Sequence, residues 1–116
     1  MNEIYMNKIN LFLLTYLLPS LTLASETSET TIKRVLSGPE FGKQVLITVD
    51  TNPSSLPECH TNQWYNYVFD GTTPEGQMTL SLVLTAYAAQ KTVVVSGTNS
   101  CTLRGGVENL KYILAK

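Results

Sequence analysis

Hydrophobic and polar positions change period several times along this chain, and each change marks an element. Residues 9–18 form an apolar run that follows Lys8 and is broken by Pro19. A polar, acidic stretch follows, and apolar residues resume only at Ile32, where Val35 and Leu36 continue a first short strand. Gly38, Pro39 and Gly42, within Ser37 to Lys43, supply a reversal. Gln44 to Asp50 then carries β-branched and apolar residues without a break, the pattern of a strand covered on both faces. The two strands read as an antiparallel pair. Asn52, Pro53, Ser54, Ser55 and Pro57 make Thr51 to Asn62 a crossing loop, because such a run cannot fill a sheet interior.

From Trp64 to Phe69 the period is two: Trp64, Asn66 and Val68 face one way, Tyr65, Tyr67 and Phe69 the other. The second face is uniformly aromatic and is expected to be buried. Trp64 then lies on the opposite face near a loop, where packing is the ordinary expectation for a lone tryptophan and a solvent-facing platform is the alternative. At Asp70 to Glu75 the chain sets up a helix start. Thr72 or Thr73 can cap, Pro74 is tolerated in the first turn, and Glu75 meets the positive end of the dipole. Leu80, Val83, Leu84 and Tyr87 recur at helical spacing, and Leu82, Ala86 and Ala89 widen the apolar band, so a helix to about Gln90 should be covered on more than one side. The sheet covers one side; a second helix or neighbouring subunit, or the domain's own loops, covers the rest. Val93 to Val95 predicts a fourth strand, ended or bulged by Ser96 to Ser100. After the turn at Arg104-Gly105-Gly106, Glu108, Leu110, Tyr112 and Leu114 alternate with Asn109, Lys111 and Ile113 in a last strand. The result is one α+β, mostly β domain of order β-β-β-α-β-β, with a small antiparallel sheet and one helix packed on it.

The leading apolar run is far shorter than the roughly 20 residues that span a bilayer, and Thr22-Leu23-Ala24 places small residues where a signal peptidase reads. Residues 1–24 are therefore expected to be a cleaved signal peptide, residues 25–31 a flexible tail, and residues 32–116 a single small domain in an exported, periplasmic or secreted protein. Met1 and Met6 are both candidate initiators, and the mature chain is the same from either. From Ser25 onward, seven Lys and Arg face eight Asp and Glu, a formal charge of −1. No basic stripe is left to attract nucleic acid or an anionic membrane, and no membrane association is expected after cleavage. Cys59 and Cys101 are the only cysteines, and in an oxidising compartment they are expected to form the disulfide that a core this small gains most from.

Candidate chemistry is sparse. His60 is the only histidine, and a Cys59-His60 nucleophilic pair needs a free thiol, which the expected disulfide removes. Asp50, Glu58, Asp70 and Glu75 lie in loops or at element ends, where solvated charge is the ordinary reading and a carboxylate pair for glycoside hydrolysis the sharper one. Gly97 and Gly105-Gly106 lack the context of a phosphate cradle. No catalytic residue, metal site or cofactor is expected, and the chain reads as a non-enzyme.

The segment Met78 to Cys101, with Leu80-Ser81-Leu82-Val83-Leu84-Thr85-Ala86-Tyr87-Ala88-Ala89-Gln90-Lys91-Thr92-Val93-Val94-Val95-Ser96-Gly97-Thr98, resembles the ending of a group of small uncharacterised exported proteins of Gram-negative bacteria. More distantly, the element order and the alanine- and tyrosine-bearing helix that runs straight into a valine strand are similar to the binding subunits of five-subunit bacterial toxins such as subtilase cytotoxin. That resemblance implies an oligonucleotide/oligosaccharide-binding (OB-like) barrel, a ring of subunits and recognition of host glycans. None of that family's sugar-contacting residues matches a position here. Two functions are expected in turn: a non-catalytic binding module for a glycan or protein, using exposed Tyr or Trp rings and forming a homo-oligomer, or a monomeric periplasmic interaction or inhibitor domain. The second would dock through a strand edge or the Ser96 to Arg104 loop.

Overall fold

A computed structural model of the protein describes residues 24–116. The expected signal peptide therefore lies outside the described residues, apart from Ala24. Within them, β1 (Ile32–Leu36) and β2 (Gln44–Val49) are joined across a short 3-10 turn, Pro39–Phe41, and β3 (Tyr67–Asp70) precedes the helix α1 (Pro74–Ala89). The chain finishes with β4 (Val93–Gly97) and β5 (Glu108–Ala115). Among the described residues, one α-helix and a five-stranded mixed sheet with one disulfide make an α+β domain.

The sheet order is β1-β2-β3-β5-β4. β1 with β2, β2 with β3, and β4 with β5 are antiparallel, but β3 and β5 run parallel through the pairs Tyr67↔Glu108 and Val68↔Asn109. An all-antiparallel sheet was the expectation. The difference follows from α1, a crossover that returns the chain so that β4 pairs outside β5 and leaves β5 beside β3. Through the ladders of these five strands alone the sheet is not closed: β1 and β4 end the strand order.

Alternating residues of β2 explain its unbroken apolar run. Val45, Ile47 and Val49 join Ile32, Tyr67, Phe69, Val83, Ala86, Val93 and Val95 in the main core under α1, while Leu46 packs on the other face with Val68, Val107, Leu36, Phe41 and Tyr65. Each such aliphatic side chain contributes about 1.5–3 kcal/mol by leaving water. Of the expected aromatic face, Tyr67 and Phe69 enter the main core, whereas Tyr65 precedes the strand and packs in the second cluster.

The helix begins as its sequence requires. Thr73 Oγ1 accepts the Gly76 N–H at 2.9 Å, Pro74 follows in the first turn, and Gln90 ends the helix in a left-handed conformation (φ 50°). Gly76 sits so close to the end of β3 that a Cβ there would lie 1.8 Å from the Asp70 carbonyl oxygen. Its absence of a side chain is what allows α1 to start against the sheet. Val83 and Ala86 face the core, but Met78, Leu82, Leu84 and Tyr87 remain exposed, so the domain's own loops do not cover the rest of the apolar band.

Two further expectations are corrected. The segment expected as a flexible tail, residues 25–31, is tied down by backbone bonds. Gly97 N–H donates to Ser25 O, Thr27 N–H to Val95 O, and Thr30 and Val93 exchange both backbone bonds, all at 2.8–2.9 Å. Ser25, Thr27 and Thr30 are buried. A polar segment without apolar periodicity can still be ordered when an exposed strand edge offers a row of backbone partners, and here that edge is β4. In β5 the simple alternation fails at Lys111. Ser96 pairs with Tyr112 but Gly97 with Leu110, a bulge that turns Ile113 and Ala115 inward and leaves Tyr112 and Leu114 outside.

Candidate binding surface

The disulfide Cys59–Cys101, with Cα atoms 5.9 Å apart, ties the long crossing loop to the β4–β5 connection. Around it, Thr61 and Asn62 N–H both donate to Gly106 O at 2.9 Å, and Glu108 N–H donates to His60 Nδ1 at 3.1 Å. His60 thus works as a backbone acceptor that holds the crossing loop to the start of β5. Cys59 is bonded, so no Cys-His nucleophile is assembled there.

That anchored loop delivers Trp64. Asn62 Oδ1 accepts the N–H groups of Trp64 and Tyr65 at 2.7 and 2.9 Å, and Thr48 Oγ1 donates to the Trp64 carbonyl. Asn66 fixes the next turn of chain, its N–H donating to Ile47 O and its Oδ1 accepting Val49 N–H, both at 2.8 Å. The backbone on each side of Trp64 is held to β2, yet its side chain is 65% exposed. Packing was the ordinary expectation for this residue, and the structure gives the alternative: a solvent-facing indole on a fixed backbone. The Arg34 guanidinium carbon stands 5.9 Å from the ring centroid, which places a fan of donors beside the aromatic face.

Two open grooves lie elsewhere on the surface. One of about 300 Å³ is lined by Glu29, Thr30, Thr31, Asp50, Thr51 and Thr92 and is wholly polar in side-chain type. The other, about 240 Å³, lies where α1 meets β3 and β5, and brings Asp70 and Glu75 together with Leu103 and Lys111. Asp70 Oδ1 accepts the Thr72 hydroxyl at 2.6 Å and the Thr72 N–H at 2.8 Å. These bonds hold its carboxyl below the usual carboxylate range, the side-chain bond first. A general acid needs the opposite shift, so Asp70, which shares this groove with Glu75, does not have the setting of one.

The Ser96 to Arg104 loop is laced to its surroundings. Asn109 N–H donates to Ser100 O at 2.8 Å, its Nδ2 to Thr102 Oγ1 at 2.6 Å, and its Oδ1 accepts Leu103 N–H at 3.2 Å. Arg104 donates to Gln44 Oε1 at 3.0 Å and lies 4.9 Å over the Phe41 ring. Leu103 is exposed at the tip of this ordered loop. Sequence pattern offered the Trp64 platform as the alternative and named the Ser96 to Arg104 loop, but missed what holds them: Asn62 and Thr48 for the first and Asn109 for the second, polar residues without a motif.

No family model, curated protein or solved structure matches the chain.

Proposed function

We propose that the chain is a non-catalytic binding module of an exported protein, periplasmic or secreted, that takes a glycan on the Trp64 face. The observation that carries this reading is the pairing of a 65% exposed indole with a backbone fixed by Asn62, Thr48 and Asn66. A sugar ring presents C–H groups on one face and hydroxyls at its rim. The indole suits the first and the Arg34 donors suit the second. Because the platform's backbone is already ordered, less conformational entropy is lost on binding.

An OB-like barrel belongs to the same proposal. It is supported by the strand order β1-β2-β3-β5-β4, by α1 between β3 and β4, and by residues 25–30 running along the other edge of β4. Homo-oligomerisation is supported by α1 itself. From Gln77 to Gln90 it carries no charged residue, and Thr79, Ser81 and Thr85 turn their hydroxyls back to carbonyls one turn earlier, leaving Met78, Leu82 and Leu84 exposed beside them. A second copy is the occupant that this uncharged face suits. The alternative reading, a protein-interaction or inhibitor domain, draws on the ordered loop that presents Leu103.

A glycan array probed with the exported protein tests the first reading, followed by titration of any hit against Trp64→Ala. Loss of binding in a folded Trp64→Ala protein is the expected result. Glycan binding unchanged by that substitution, or no glycan bound, would overturn it.

A further inference from the structure

Glu108, the first residue of β5, is completely buried. Its carboxylate accepts the Ser25 hydroxyl, Asn99 N–H at 2.9 Å, and Ser25 N–H at 3.4 Å. Tyr67 Oη reaches the same Ser25 hydroxyl at 2.9 Å. Across the bulge, Gly97 makes room for the carboxylate, since a Cβ there would fall 2.1 Å from Glu108 Cδ. Among the described residues no lysine or arginine lies within ion-pair distance of it: the one ion pair there is Lys116 with Glu29, on the surface. A buried carboxylate held only by neutral donors is costly, and pairing with a cation is the usual remedy.

The nitrogen that faces Glu108 is the one that signal-peptide removal would free, by the small-residue pattern of Thr22-Leu23-Ala24. We propose that the Ala24–Ser25 bond is a maturation site and that the Ser25 α-ammonium created there is the counter-charge of Glu108. Hydrolysis by a signal-peptidase-type protease adds water across the amide. The oxygen goes to the Ala24 carbonyl carbon, which leaves as a carboxylate, and the Ser25 nitrogen takes protons to become an ammonium. A neutral peptide N–H at the carboxylate is replaced by a cation in a site that excludes water. The first residue of the mature chain then locks the strand bulge at Gly97, the β3–β5 junction and the edge of β4 together, so processing completes the fold. This inference rests on the exported reading but not on glycan binding, because Trp64 takes no part in it.

The test uses the full chain exported to an oxidising periplasm, and a form with Gly-Ser inserted between Ala24 and Ser25, each with Glu108 and with Glu108→Gln. Mass spectrometry reads the N-terminus, and thermal unfolding reads stability. The native form is expected to begin at Ser25. The insertion, which moves the ammonium away, is expected to lower Tm by on the order of 10 °C with Glu108 and to have little effect with Glu108→Gln. Should the inserted Glu108 form fail to fold, the inserted Glu108→Gln form is expected to fold. A native N-terminus elsewhere, an insertion penalty equal in both backgrounds, or an inserted Glu108→Gln form that does not fold would overturn the proposal.

Discussion

Removing the disulfide should cost this domain more than any single apolar side chain. Cys59 and Cys101 are 42 residues apart in sequence. Releasing a loop of that length restores unfolded-state entropy worth about 4 kcal/mol in the chain-entropy description. In a domain of this size, each 1 kcal/mol moves Tm by roughly 4–8 °C, so Cys59→Ser/Cys101→Ser should melt on the order of 20 °C lower. The effect should also be localised before global unfolding. The bond sits beside the shortest ladder of the sheet, the two-pair parallel contact of Tyr67 and Val68 with Glu108 and Asn109. Hydrogen exchange of the Thr61, Asn62 and Glu108 amides, which are bonded to Gly106 and His60, should therefore speed up more than that of β1 or β2. Circular dichroism melts with and without reductant, together with exchange at those amides, make the test. A reduced protein that melts within about 3 °C of the oxidised one would refute the reasoning, as would uniform loss of protection across the sheet.

Other expectations follow from single contacts. Burial pushes the Tyr67 hydroxyl up to about 12, with its Ser25 hydrogen bond opposing and the Glu108 and Glu26 charges adding to the rise. The folded chain then keeps a proton that the unfolded chain loses near pH 10, so stability falls as pH rises from 10 to 12, by on the order of 3 kcal/mol over that window; denaturant midpoints across it check this, and Tyr67→Phe should flatten the dependence. Gly76→Ala forces a Cβ to within 1.8 Å of the Asp70 carbonyl and should lower unfolding free energy by about 3 kcal/mol or more in urea titrations. Leu84→Lys puts a charge on the exposed side of α1 and should reduce any oligomer seen by light scattering to monomer while leaving the melt nearly unchanged.

How much of this was legible in the sequence depends on whether a residue's role comes from its own period or from a distant partner. β2, α1 and β4 were readable because hydrophobic spacing and the Thr73-Pro74-Glu75 start are local signals, and the disulfide because Cys59 and Cys101 are the chain's only cysteines. The parallel β3–β5 contact was not readable, since strand order is decided by where α1 returns the chain. Residues 25–30 looked like a tail because Ser, Glu and Thr carry no apolar period, yet backbone bonds to β4 order them. Trp64 precedes β3, so the strand alternation that set it opposite Tyr65 does not reach it; its exposure is set by Asn62, Thr48 and Asn66, which fix the backbone without covering the ring. Nothing in the local pattern announced that Glu108 and Ser25, 83 positions apart, share one buried site.

The most direct test of the binding proposal uses the chain's single tryptophan. Titrating the mature, oxidised protein with array-selected glycans while following Trp64 emission reads the proposed contact itself. A saturable change in emission, with Arg34→Ala weakening the affinity about tenfold without lowering Tm, is the predicted result. Glycan binding that leaves the indole emission unchanged, or no saturable binding of any glycan, would contradict the assignment of this surface.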